Sequence, residues 1–303
     1  MTRVVFLLIP GVHLLDLAGP AQVFSSAADL VDGYELSYVG DMETVLSHQG
    51  VPLGASRELP SLDVQDLVFV PGWRSPRIVG TGHLSDRALE WLRTHHANGG
   101  TVASVCAGAD ALGRAGLLDG RRCTTHHELQ EELERRYPAA KVVRDVLYVE
   151  DGRIVTSAGI ASGIDLALHL VAMRHGPVVA AAIARTMVVY ARRNGDDQQA
   201  SVLLRHRSHV NETVHRVQDV IEARLAERLS LADLAMHAGC SERTVTRLFT
   251  RATGMTPLKY QQALRVERAE HLIGQGATME TAARSVGFED ARMLRRLRNR
   301  LTA

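Results

Sequence analysis

The sequence predicts an α/β domain, a mostly parallel sheet flanked by helices, followed by a smaller all-α domain built on an internal duplication. Three observations carry this. Short apolar runs alternate with helical patterns over residues 1 to about 190, the last third repeats itself at an offset of 48 residues, and charge divides the chain at the same place. From Arg192 onward 19 Lys and Arg stand against 13 Asp and Glu, a net of +6; the preceding residues hold 16 against 21, a net of −5. An acidic front and a basic back point to a polyanion as partner of the back alone.

Residues 4–9, 36–39, 67–70, 102–105 and 154–156 read as strands, and 14–31, 84–96, 109–115, 128–136 and 162–174 as helices. Strands apolar on both faces and separated by helices belong in a parallel sheet covered on each side. Ligands on such sheets gather at the C-terminal strand ends. The opening apolar run has a single basic residue and no small-residue cleavage site, so it reads as a buried first strand rather than a leader. No apolar run reaches membrane-spanning length. The expectation is a cytoplasmic protein without a membrane partner. Cys106, Cys123 and Cys240 fit no disulfide framework or zinc site, and neither metal nor cofactor is expected.

One strand end is distinctive. The run at 102–105 leads into Ser104-Val105-Cys106-Ala107-Gly108 and then a helix. Small residues two before and two after a Cys, between strand and helix, are the layout of a nucleophile elbow. The tight turn needs small neighbours because its central residue is held in a strained conformation. A thiol at a helix N-terminus is expected to be favoured as thiolate by the positive dipole end. A working thiol also needs a base. Ala107 cannot serve; His126 and His127 at a later strand end and Asp16 after the first strand are the candidates, with helix capping the bland role for Asp16. Trp91 and Cys123 read as packing residues, and Trp73 as a pocket wall or a cover for the sheet edge.

In the back, Ser230, Leu231, Leu234, Ala235, Ala238, Gly239 and Cys240 are echoed by Thr278, Met279, Ala282, Ala283, Val286, Gly287 and Phe288. Each set opens on a hydroxyl N-cap and continues with an apolar stripe; Gly ends the helix, and one apolar residue, Cys240 or Phe288, plugs the corner. An arginine-rich helix follows each turn, the outline of a helix-turn-helix present twice, at about 230–251 and 278–300. Ser230 to Asp233 is a capping-box variant, and Ser241 caps the first reading helix. Its inner face is Val245, Leu248 and Phe249; its outer face is Arg243, Thr246, Arg247, Thr250 and Arg251. Arg292, Arg295 and Arg296 occupy the outer face of the second. Arginine pairs bidentately with guanine and threonine touches the thymine methyl, so both faces suit a major groove of double-stranded DNA. Residues 257–274, opening on Pro257, form a rigid linker helix. Val210, Val214, Val217, Ile221 and Leu225 mark a support helix. The polar stretch 192–208 is the expected linker between a domain at 1–191 and one at 209–303.

Two resemblances follow from these residues. LLDLAGPAQVF (14–24), VASVCAGADALGRAGLLDGRRCTTHHEL (102–129) and TSAGIASGIDLALHLV (156–171) resemble the PfpI/ThiJ-type class I glutamine amidotransferase-like domain. That resemblance implies a flavodoxin-like fold and puts Cys106 and Asp16 on the reactive positions. Peptidase-like members carry His directly after the Cys, and Ala107 departs from that pattern. LSLADLAMHAGCSERTVTRLFTRATGMTPLKY (229–260) with the runs at 263–273 and 282–290 resembles the AraC/XylS family of transcription regulators. It implies base contacts from Arg243, Thr246 and Arg247, then Arg292, Arg295 and Arg296; the outer-face reading adds Arg251 as a DNA-binding candidate. Arg298 stands where that family usually has an aromatic core residue.

The combined expectation is a regulator rather than an enzyme. Its front domain would sense a small-molecule effector near Asp16, Cys106 and His126 or dimerise. Its back would read promoter DNA as part of a homodimer, with RNA polymerase as a further partner. The alternatives are a PfpI/ThiJ-type cysteine enzyme with a DNA-binding tail and a redox sensor acting through Cys106.

Overall fold

The computed structural model describes residues 1–31, 33–73, 84–189, 195, 199, 202, 206, 207, 209–274 and 276–301, the last three as backbone only. The chain divides into two compact units, residues 1–199 and 200–303. Most of the expected linker at 192–208 lies outside the described residues.

The first unit is a six-stranded sheet in the order β2-β1-β5-β6-β10-β9. Its strands are β1 (Thr2–Leu8), β2 (Tyr34–Gly40), β5 (Leu67–Val70), β6 (Thr101–Val105), β9 (Tyr148–Asp151) and β10 (Ile154–Ser157). All pairings are parallel except β10 with β9, an edge strand that the sequence reading missed. Small ladders join β3 (Thr44–Leu46) to β4 (Pro52–Gly54) and β7 (Arg122–Cys123) to β8 (Lys141–Val142).

Side chains alternate across a strand, so β1 feeds two cores. Val4, Phe6 and Leu8 face one cluster with α1 (Leu14–Ala28), α5 (Ser162–His175) and α6 (Pro177–Thr186). Val5 and Leu7 face the other with α2 (Asp86–Ala97) and α3 (Ala109–Arg114), and α4 (Gln130–Arg136) adds Leu133 there. Each fully buried Val, Leu or Phe contributes roughly 1.5–3 kcal/mol, which is why the both-face apolar runs locate the sheet correctly. Trp91 donates Nε1–H to the Pro60 carbonyl at 2.8 Å, and buried Trp73 bridges to Val12.

Two described residues of the expected linker are held by the first unit. Gly195 accepts the Leu147 amide at 2.8 Å. Gln199 donates Nε2–H to the carbonyls of Val146 at 2.8 Å and Thr125 at 3.0 Å.

The second unit contains α7 (Glu212–Ala223), α8 (Leu231–Ala238), α9 (Glu242–Thr253), α10 (Pro257–Gly274), α11 (Met279–Ser285) and α12 (Ala291–Leu301). Asn211 caps α7, accepting the Val214 amide at 3.0 Å. Val210, expected on the buried stripe of that helix, instead precedes the cap and is fully exposed. The Ser230–Asp233 capping box is complete, and Ser241 and Thr278 cap α9 and α11 by the same contact. Gly239, at φ 66, closes α8 in the left-handed conformation that costs a residue with a Cβ about 1–2 kcal/mol. The hydrophobic residues form two separate clusters. Val214, Val217, Leu234, Val245, Phe249, Tyr260 and Leu264 belong to one, and Val266, Ala269, Ala283, Phe288 and Leu294 to the other. Arg298, at the position where the resemblance implies an aromatic core residue, is exposed and pairs with Glu270 at 3.3 Å.

Candidate functional sites

At the end of β6 the backbone turns through Cys106 with φ 56, a conformation rare for a residue with a side chain. The elbow geometry is therefore present. Its small neighbours are required: a Cβ on Gly108 would collide with the Val70 carbonyl, and one on Gly159 would lie 2.8 Å from the Cys106 Cβ and 3.0 Å from its Sγ. Gly72, from the Val-Pro-Gly turn after β5, is pressed equally close, a Cβ there falling 2.7 Å from the Cys106 Cβ.

Asp16 sits in the first turn of α1 and is 1% exposed. It does not cap that helix; Oδ1 accepts the Ile160 amide at 2.9 Å. Oδ2 is buried beside Gly72 and Cys106 without a full hydrogen bond to either. Burial raises the Asp16 carboxyl to about 6, against smaller opposing effects of the Ile160, Cys106 and Gly72 contacts. Burial, and then the Asp16 charge, push the Cys106 thiol far above its ordinary range. The expected thiolate-stabilising dipole is thus outweighed: a partial charge at a short helical turn cannot offset desolvation plus a neighbouring anion.

The structure brings Asp16 to Cys106 and gives His126 a different hydrogen-bond partner. His126 Nδ1 accepts the Glu128 amide at 3.4 Å, and burial lowers its basicity. Among the described residues no hydrogen bond joins it to Cys106. Its neighbour Thr125 does reach the elbow, donating Oγ1–H to the Cys106 carbonyl at 2.7 Å. His127 is exposed. Gly72, Thr125, Gly159 and Ile160 were missed in the sequence; the runs Val-Pro-Gly and Ser-Ala-Gly-Ile carried the only signal.

In the second unit Arg243, Arg247, Thr250 and Arg251 are exposed on α9, and Thr246 is half-buried. The Thr246 hydroxyl donates to the Glu242 carbonyl at 2.9 Å. With Leu231 and Glu242 these residues line an open groove of about 860 Å³. On α12, Arg292, Arg295 and Arg296 are exposed. Arg292 and Arg296 line a smaller groove of about 280 Å³ with Glu289, Asp290 and Met293. Asp290 caps α12, accepting the Arg292 and Met293 amides at 2.9 and 3.0 Å. Leu231, Glu242, Glu289 and Met293 were not foreseen as lining these grooves.

An elbow-bearing α/β domain followed by two helix-turn-helix units on one linker helix defines a class of DNA-binding transcription regulators. Residues 2–173 match the DJ-1/PfpI family and residues 234–303 a helix-turn-helix domain. The chain belongs to the DJ-1/PfpI family and, through its C-terminal domain, to the helix-turn-helix transcription regulators of the AraC type. It is 30% identical over 274 residues to the HTH-type transcriptional regulator CdhR of Pseudomonas aeruginosa, covering 89% of this chain and 80% of that one. It is 37% identical over 171 residues to the isonitrile hydratase of Pseudomonas putida, covering 54% of this chain and 68% of that one. The crystal structure of an AraC family transcriptional regulator from Pseudomonas putida superposes with a TM-score of 0.54 at 26% identity, covering 62% of this chain and all of that one. Among the described residues no helix is long and apolar enough to cross a membrane.

Proposed function

We propose that Arg243, Thr246, Arg247 and Arg251 on α9 and Arg292, Arg295 and Arg296 on α12 contact double-stranded promoter DNA in two successive major grooves. The first domain binds a small-molecule effector at the Asp16–Cys106 elbow and carries no catalysis of its own. The observation supporting this division is a contrast: Arg243, Arg247, Arg251, Arg292, Arg295 and Arg296 are exposed, whereas the elbow thiol is buried beside an acid, and burial and that acid push its pKa up. The Thr246 hydroxyl proton is committed to the Glu242 carbonyl, and its methyl group is of the kind that contacts a thymine methyl. The effector acts by its different affinity for two states of the chain, within a homodimer that also meets RNA polymerase.

The test is gel retardation of genomic fragments by the full chain across a salt series, followed by footprinting with and without candidate metabolites. Salt-sensitive, sequence-selective retardation is expected. No retardation of any fragment under any condition would remove the reading.

The positive φ of Cys106 and the similarity to an isonitrile hydratase favour one second reading, a cysteine enzyme with a DNA-binding tail. It requires that the chain convert an isonitrile to the corresponding formamide and that Cys106→Ser abolish this. No turnover leaves the regulator reading alone.

A further inference from the structure

We propose that Arg265 is the positioning residue that sets the second reading helix in register with the first, so that the two are read as one site of fixed spacing. The inference deepens the DNA-binding reading and rests on it.

Arg265 lies on α10 between Leu264, the last α10 residue of the first hydrophobic cluster, and Val266, the first of the second. It therefore marks the seam of the unit. All three of its guanidinium nitrogens donate to backbone carbonyls. Nε reaches Leu225 at 2.7 Å and Nη2 reaches Glu227 at 2.7 Å, both in the loop between α7 and α8. Nη1 reaches Gly287 at 2.9 Å, in the turn of the second helix-turn-helix. The guanidinium carbon lies 5.7 Å from the centroid of Phe288, the plug of that turn. The same two segments also meet directly: a Cβ on Gly287 would collide with the Ala226 carbonyl. One planar, rigid fork thus ties the loop that enters the first helix-turn-helix to the turn inside the second.

Gln261, one turn earlier on α10, sharpens the assignment. Its Nε2 donates to the same Leu225 and Glu227 carbonyls, at 3.1 and 2.9 Å. It anchors α10 to the loop without the bond to Gly287 that Arg265 makes. Holding two reading helices in register makes engagement of the second intramolecular, which is worth about 10²–10⁴ in affinity when geometry fits and is lost when it does not. A joint that sets the register should therefore appear in the dependence of binding on half-site spacing rather than in stability alone.

The experiment uses the full chain and duplexes that the wild-type chain selects from a random-sequence pool. The selected two-part site, versions with one or two inserted base pairs, and the first half-site alone are titrated against wild type, Arg265→Met, Arg265→Lys and Gln261→Met. Wild type is expected to lose about tenfold or more on each insertion. Arg265→Met is expected to keep its affinity for the single half-site within about twofold, lose about tenfold on the intact site and respond little to insertions. Arg265→Lys, with one compact charge, should fall between. Gln261→Met should lower stability yet retain the wild-type spacing dependence. Wild-type spacing dependence in Arg265→Met, or equal losses on the single and intact sites, overturns the assignment while leaving the DNA-binding reading in place. A wild-type chain that selects no duplex overturns both.

Discussion

Asp16 and Cys106 are wedged against the same glycine: a Cβ on Gly72 would collide with the Asp16 carboxylate and lie 2.7 Å from the Cys106 Cβ. The packing holds an acid and a thiol together where water cannot solvate either charge; burial raises both groups, and the Asp16 charge makes ionisation of Cys106 harder still.

The first prediction concerns pH. Folding raises the Asp16 carboxyl from its ordinary 3.8 to about 6, so between those values the folded chain binds more protons than the unfolded one. Stability therefore falls as pH rises through that window, and the full penalty, about 3 kcal/mol, is present above pH 6. Asp16→Asn removes the titration. Its stability relative to wild type should improve by that order between pH 4 and pH 7, in urea unfolding followed at Trp73 and Trp91, both in the first domain. A difference independent of pH would contradict the assignment.

The thiol gives the second. Iodoacetamide at neutral pH should modify half-buried Cys240 well before Cys106, as read by peptide mass spectrometry. In Asp16→Asn, where the neighbouring anion is gone, Cys106 should react faster than in wild type. Rapid, selective modification of wild-type Cys106 would instead support a redox or enzymatic role.

Strain at the elbow gives the third. Gly159, at φ 133, has no room for a Cβ, so Gly159→Ala should destabilise the first domain by on the order of 2–4 kcal/mol. Gly116→Ala is the control. Its φ of 71 carries a backbone penalty alone, with open space around it, and should cost about 1 kcal/mol. Equal losses would show that the elbow tolerates a methyl group.

The fourth concerns readout. Arg243→Ala or Arg247→Ala should leave the melting temperature unchanged, since both side chains are exposed. Each should weaken binding by about 1–3 kcal/mol at particular base pairs if bidentate to guanine. Equal losses on every sequence would make these residues phosphate contacts.

Most of the architecture was legible because it is written in period and punctuation. Runs such as 67–70 are apolar on both faces, and the 48-residue echo repeats cap, stripe and glycine. What escaped is what periodicity cannot see. Strands β7 and β8 are two residues each, and β9 ends in Glu150 and Asp151, which suit an exposed edge but not a core pattern. The small residues around Cys106 revealed the elbow, yet the sign of its electrostatics was misread, because burial by Gly72, Gly159 and Asp16 arises only in three dimensions. Arg265 sits among Arg and Glu on a helix and reads as one more solvated charge; its three carbonyl partners come from segments some 20 to 40 positions away.

The two reading helices carry different alphabets: α9 mixes Thr246 and Thr250 with arginines, whereas α12 offers Arg292, Arg295 and Arg296 beside Met293. On the proposed reading, a molecule so built would have a head and a tail on the duplex. A single chain would then need no palindrome, and the strand it faces would be decided by which half-site comes first, giving the bound protein an arrow along the promoter.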